Sequence, residues 1–367
     1  MEFRAAVLRQ PGEPLRIETI QAAPLQPTDV VVKIAAAGLC HTDLEVIDGQ
    51  LSYPMPIVLG HEAAGTIVEV GAAVDPARRG DKVVLSWNPH CGTCFHCSRD
   101  QPILCERYVG LGPQAVQFDG TTRLMRGGEP VRTMFYMAAF AEYAIVTESC
   151  AVAVPDAMPL DRACLIGCGV MTGVGAALNF SGLGYGDTAM VIGCGAVGLS
   201  AVQGARLAGA TTIIAADRNA ARLELARRLG ATHAVKVPEI DAVAAVRDLT
   251  GGRGADSVLE SAGNAAAFRL SVEACRTGGQ VVWLGKTGVD TDVAFRWGAL
   301  MGEKRIVRSS YGGARPARDF PRLAQAYLDG KLQLDEYITS RIRLDDINRG
   351  FDDLRQGRGV RSVVMFD

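Results

Sequence analysis

The sequence predicts an α/β protein in two domains: a barrel-like, mainly β domain and a six-stranded parallel sheet covered by helices on both faces. Three observations carry that prediction. The chain has 367 residues, more than one ordinary hydrophobic core organises. Its first part holds short runs rich in β-branched residues between glycines, the pattern of short strands and tight turns. Beyond Gly184 short apolar runs alternate with helix-compatible segments, which implies parallel strands joined by helices.

In the first part, residues 29–34, 66–70 and Lys82–Leu85 read as strands, punctuated by Gly60, Gly65, Gly71 and Gly80. In the second, Thr188–Ile192, 211–215, 234–237, 257–260, 280–284 and 305–309 supply six strands. A helix over Ala196–Ala208 stops at Gly209. Another follows Asn219 as its N-cap, sets Leu225 and Leu229 on one face, and ends at Gly230. After Gly312 and Gly313, a helix over 319–328 and a strand over 362–366 make a tail too short for a third domain. That tail is expected to pack back on the first domain. The expected division is therefore residues 1–169 with a return segment 311–367, around a second domain over 170–310.

Composition narrows the function classes. With 48% hydrophobic and 21% charged residues the chain is globular, and a net charge of −2 gives no electrostatic case for nucleic acid or an anionic membrane. No apolar run is expected to reach membrane-spanning length, since Arg, Asp, Glu or Gly interrupts each candidate. Residues Met1 to Arg4 form no basic stretch ahead of an apolar core, so a cytoplasmic location is expected. In that reducing compartment, clustered cysteines bind metal or do chemistry more often than they pair. Four of the ten cysteines, Cys91, Cys94, Cys97 and Cys105, fall within fifteen residues. Four thiolates converging from one loop make a closed tetrahedral zinc site, which is a structural arrangement.

Gly193, Gly195 and Gly198 form G-x-G-x-x-G where a predicted strand meets a predicted helix. Gly193 permits the tight turn, Gly195 lets backbone approach a pyrophosphate, and Gly198 allows close helix–strand packing. The helix N-terminus then offers free N–H groups to phosphate. Asp217 follows nineteen residues after Gly198, where a carboxylate accepts hydrogen bonds from the adenosine ribose and repels a 2′-phosphate. NAD is therefore expected over NADP. Arg218 is discordant, because a neighbouring arginine accommodates that phosphate.

Gly60-His61-Glu62-Ala63-Ala64-Gly65, with Gly71 and Val74 at fixed spacing, resembles the signature of the zinc-containing medium-chain alcohol dehydrogenases. The similarity extends over nearly the whole chain. It takes in Gly38 to Asp43, the four-cysteine loop, Gly167 to Gly173, the glycine fingerprint and the closing Gly359 to Ser362. The resemblance implies a GroES-like catalytic domain and a Rossmann coenzyme domain. It also implies two zinc ions per chain, NAD as cofactor, and reversible oxidation of an alcohol to an aldehyde or ketone.

By matching position, Cys40, His61 and Cys168 would hold a catalytic zinc with one position open. Asp43 resembles the carboxylate that orients the histidine ligand. Thr42 would take the hydroxyl proton while zinc stabilises the alkoxide, as it lowers the pKa of bound water to ~7. Glu62 matches a glutamate that approaches zinc during ligand exchange, and reads equally as an ordinary salt-bridged carboxylate. His41 and Arg361 would contact the pyrophosphate, Arg222 the adenosine ribose, and Thr172 would pack on nicotinamide. Glu45 stands where many relatives carry a relay histidine; it either passes protons on or is merely solvated.

Trp87, Phe140 and Leu284 match positions near the substrate cleft, so an apolar, partly aromatic pocket and a primary, aromatic or allylic alcohol are expected. Lys286, near that cleft, reads as a surface lysine with a packed stem; facing the cleft, it would favour anionic substrates. The long segment 110–139 goes with the animal-type dimeric branch of the family. A homodimer paired through the region 280–299 is the resulting expectation.

Overall fold

Hydrophobic strands buried on both faces organise residues Gly169–Ala314, one of two units into which the computed structural model of all 367 residues divides. The other unit comprises Met1–Cys168 and Arg315–Asp367. In the first of these, β1 (Thr188–Ile192) is buried at every position, as a central parallel strand must be. It is flanked by β2 (Thr212–Asp217) and β4 (Ala255–Glu260). With β3 (His233–Lys236), β5 (Cys275–Trp283) and β6 (Arg305–Arg308) the sheet runs β3-β2-β1-β4-β5-β6, all parallel. The strand order reverses between β1 and β4, the position at which such sheets bind ligands. Met190, Ile214, Val235, Val258 and Val281 supply part of the core.

The local stop signals act as expected. Helix α1 (Ala196–Ala208) ends on Gly209 at φ 103°, and α2 (Ala220–Arg228) starts from Asn219, whose side chain accepts the Ala221 and Arg222 N–H groups. β2 runs to Asp217 instead of ending at residue 215, because Ala216 and Asp217 still pair with Val235 and Lys236. One expectation is corrected. Gln280–Trp283 lies inside the sheet between β4 and β6, and residues 284–296 form no strand. The region 280–299 therefore offers no free sheet edge; the edges are β3 and β6.

In the other unit, strands Glu2–Leu8, Arg16–Ala22, Leu124–Arg126, Glu129–Thr133 and Ile57–Val58 close a barrel. A seven-stranded sheet accompanies it, centred on Asp29–Gly38 with Ala63–Val70, Tyr143–Thr147 and Arg361–Met365 hydrogen-bonded to it. Val363 and Val364 pair with Gly38 and Ala37, so the polar tail returns to the first part of the chain. Its helix begins at Pro316, where the missing N–H costs nothing. The tail also holds the strand Ile338–Ile342 and the helix Ile347–Arg355, which no sequence signal had marked.

Segment 110–139 is pinned by a buried ion pair: Arg123 Nε lies 2.5 Å from the Asp29 carboxylate, both side chains at 5% exposure or less. A second correction concerns apolar runs. Leu160–Phe180 is one helical stretch with the length and hydropathy of a membrane span, but 72% of its most apolar 18-residue window is buried inside the protein. None of the ten cysteines forms a disulfide.

Candidate functional site

Three elements bring Cys40, His61 and Cys168 together. Cys40 is the extended residue before the helix His41–Ile47, His61 precedes the strand Ala63–Val70, and Cys168 sits in the π-helical turn Ile166–Val170. Asp43 is the tie between the first two. Its carboxylate accepts the Cys40 N–H at 3.2 Å and the Gly60 N–H at 3.0 Å, and its Oδ1 lies 3.1 Å from His61 Nδ1. Nε2 is thereby turned to the cysteines, 3.4 Å from Cys168 Sγ.

The three ligand atoms lie within 4.8 Å of one another, compatible with the ~3.8 Å sulfur separation of a tetrahedral zinc. The donor set of two thiols and an imidazole suits zinc and leaves a fourth position open. Burial opposes protonation of His61, yet Asp43 and Cys40 hold its pKa well above the ordinary value. The Cys168 thiol and the nearby Arg361 cation hold the Cys40 pKa well below the usual range.

Glu62 does not point to the cluster as an unpaired carboxylate. Fully buried, it pairs with Arg361 Nε at 3.1 Å and Nη2 at 3.3 Å, and Arg361 also donates to the Leu39 carbonyl and to Cys40 Sγ. The ion pair that the salt-bridged reading requires is present. Arg361 is only 5% exposed.

Cys91, Cys94, Cys97 and Cys105 also bring four ligand atoms within 4.8 Å of one another. Cys91 Sγ lies 4.0 Å from Cys97 Sγ, and the Cys91 N–H donates to Cys105 Sγ. The Thr93 N–H lowers the Cys91 pKa to about 6, whereas burial and the Cys94 sulfur push Cys97 up to about 12. Four protein ligands leave no open position, so this set fits a structural zinc.

The aromatic beside the three-ligand cluster is not the expected one. Phe140 is fully buried, packed edge-on against Phe351 at 5.8 Å, and belongs to the core. Phe135 takes the place beside the cluster, its ring 5.4 Å from that of His61 and 5.3 Å from that of Trp87. Tyr53 closes the group at 6.2 Å from Phe135; burial and the nearby Asp43 raise its pKa to about 12. Phe135, Tyr136 and Ala138 have φ of 48°, 64° and 56°, three left-handed non-glycine residues interrupted by Met137 at φ −117°, at a cost of order 1–3 kcal/mol each. Nothing local in the sequence announces them, since no Gly or Asn marks the turn.

On the same helix as Asp43, His41 is exposed, while Thr42 and Glu45 are half-buried and one turn apart. In the unit Gly169–Ala314, the fingerprint glycines behave as their spacing requires. Gly193 has φ 87°, and a Cβ on Gly198 would lie 1.7 Å from the Gly193 carbonyl oxygen. A Cβ on Gly195 would meet nothing within 4 Å, which leaves room for a phosphate against the backbone. Asp217 accepts the Cys194 N–H at 2.6 Å and the Asn219 N–H at 2.7 Å, fixing it at the end of β2 beside that turn. Arg218 and Lys286 are exposed, Arg222 and Thr172 half-buried, and Leu284 buried.

The alcohol dehydrogenase GroES-like domain family matches residues 26–156, and the zinc-binding dehydrogenase family matches 196–329. An NDMA-dependent alcohol dehydrogenase of Amycolatopsis methanolica is 38% identical over 369 residues, covering all of this chain and 99% of that one. An S-(hydroxymethyl)glutathione dehydrogenase of Synechocystis sp. is 35% identical over 370 residues, covering both chains fully. The crystal structure of benzyl alcohol dehydrogenase from Acinetobacter calcoaceticus superposes with a TM-score of 0.94 at 32% identity, over the whole of both chains. With these matches, a GroES-like unit and a six-stranded parallel sheet, the chain belongs to the zinc-containing medium-chain alcohol dehydrogenase family.

Proposed function

We propose that this protein oxidises a primary alcohol, aromatic or allylic by preference, to the aldehyde with NAD as hydride acceptor, and runs the reaction in reverse. The observation that carries the substrate class is the ring wall of Phe135, Trp87 and Tyr53 beside His61. Flat, polarizable rings bind conjugated carbinols through stacking and edge-to-face contact, worth about 0.5–1.5 kcal/mol per ring pair beyond area.

When bound at Cys40, His61 and Cys168, zinc lowers the pKa of an alcohol hydroxyl and polarises a carbonyl. The chain's own residues do the rest. Asp43 holds His61 with Nε2 facing the two cysteines. Thr42, at the start of the same helix, would take the hydroxyl proton of the substrate while releasing its own hydroxyl proton toward solvent, so that it relays the proton and does not keep it. Gly193, Gly195 and Gly198 receive the pyrophosphate, and Asp217 keeps acceptor capacity for the ribose hydroxyls beyond its two backbone donors.

A panel of benzyl alcohol, cinnamyl alcohol, 1-butanol and S-(hydroxymethyl)glutathione, followed at the NADH absorbance, tests the reading. We expect kcat/KM for the conjugated alcohols to exceed that for 1-butanol by at least about tenfold. Preference for S-(hydroxymethyl)glutathione would overturn the substrate class. NDMA belongs in the assay as an alternative acceptor, because one relative is named for it.

Cofactor choice turns on Asp217. Wild type is expected to prefer NAD; Asp217→Gly should weaken NAD and improve NADP, moving the NAD/NADP ratio of kcat/KM by about 10²-fold or more. A wild-type preference for NADP would mean that exposed Arg218 governs the site.

A further inference from the structure

We propose that Gln117 is a positioning residue for alcohol selectivity, acting through Phe135; the proposal deepens the substrate reading above and rests on it. Gln117 is buried at 2% exposure and far in sequence from Cys40, His61 and Cys168. Its Nε2 donates to the Tyr136 carbonyl at 3.0 Å and to the Ile145 carbonyl at 3.4 Å. The Tyr136 carbonyl closes the left-handed pair Phe135–Tyr136, which side chains with a Cβ do not hold without support.

The platform under that amide is itself rigid. The Gln117 N–H donates to the Thr121 carbonyl, and its own carbonyl accepts the Gly120 N–H. The same turn carries Asp119, ion-paired to Arg123, which is in turn paired to buried Asp29. On the far side of the run, the Ala139 N–H donates to the Gly60 carbonyl and the Phe140 N–H to that of Leu59, next to His61. The chain just after Phe135 is thus held at two anchors. One is the ligand-bearing Leu59–His61 backbone, and the other is the Gln117 amide. Local turn bonds from Met137 and Ala138 N–H to the Met134 carbonyl shape the same segment, and the two anchors fix where it presents the ring to His61 and Trp87. Released from Gln117, the run relaxes toward ordinary φ values and the ring wall loses its fixed face.

The decisive experiment compares wild type, Gln117→Met, Phe135→Ala and the double variant. Methionine keeps length and volume but donates no hydrogen bond. The readout is the ratio of kcat/KM for benzyl alcohol to that for 1-butanol, which cancels any change in active fraction. Zinc content and Tm are measured alongside. Gln117→Met should lower the ratio about tenfold, chiefly through KM for benzyl alcohol, with two zincs retained. In the Phe135→Ala background the same change should alter the ratio less than about twofold.

An unchanged ratio in Gln117→Met, or an equal further drop in the double variant, overturns the proposal. If Gln117→Met is insoluble, Gln117→Asn, which withdraws the amide by one methylene, is read against the same limits. A wild type that prefers 1-butanol overturns the aromatic reading alone, because the shift of the ratio between variants still decides the role of Gln117. A wild type indifferent to the two alcohols likewise overturns the aromatic reading, and the shift between variants again decides the role of Gln117.

Discussion

Cys168→Ser is expected to lower kcat/KM for alcohol oxidation by about 10³-fold or more while leaving the fold and cofactor binding nearly intact. Three donors converge at this cluster, and Cys168 contributes the one sulfur that comes from the π-helical turn. A serine hydroxyl is a poor zinc ligand, so the site loses its metal or its geometry. The Lewis-acid contribution to the barrier is several kcal/mol, and each 1.36 kcal/mol is a factor of ten. Stability should change little, because Cys40 and His61 remain tied through Asp43 by hydrogen bonds that need no metal. Zinc should fall from about two per chain to about one, with NADH binding by fluorescence titration unchanged. Near-normal turnover in a variant lacking that zinc would sink the assignment of the open site.

The second large effect is on stability. Cys97→Ser breaks the closed set of Cys91, Cys94, Cys97 and Cys105, whose loop has only short 3₁₀ turns of its own. Metal binding there is folding free energy for the loop, since no preformed hydrophobic core replaces it. We expect Tm to fall by roughly 5–10 °C, a loss of a few kcal/mol for a domain of this size, and soluble yield to drop. Protein that remains folded should retain the zinc at Cys40, His61 and Cys168 and most of its specific activity. One zinc lost with Tm unmoved would contradict a structural role.

What could be read from the residues alone depends on how far apart in sequence the cooperating groups lie. The six-stranded sheet and its caps were legible, because Asn219, Gly209 and the apolar runs act on their own neighbours. The glycine fingerprint was legible for the same reason: turn, open approach and tight packing all fall within six residues. So was the four-thiol cluster, since a short loop closes at little entropic cost. The set Cys40, His61 and Cys168 was reached only through family resemblance, because Cys168 stands 107 residues from its histidine partner.

Tertiary structure decided the rest. Which aromatic faces His61 depended on a left-handed run held by the Gln117 amide and by the Leu59 and Gly60 carbonyls, so Phe135 took the position expected for Phe140. Glu62 became a paired carboxylate because the returning tail carries Arg361 beside it, 299 residues away. Residues 280–283 became interior because β6 covers them, although their composition suits an edge or a centre equally well. Local propensity and spacing determined the elements and the two motifs that close on themselves. Burial and long-range hydrogen bonds, which have no sequence-local signature, determined which side chains meet at the site.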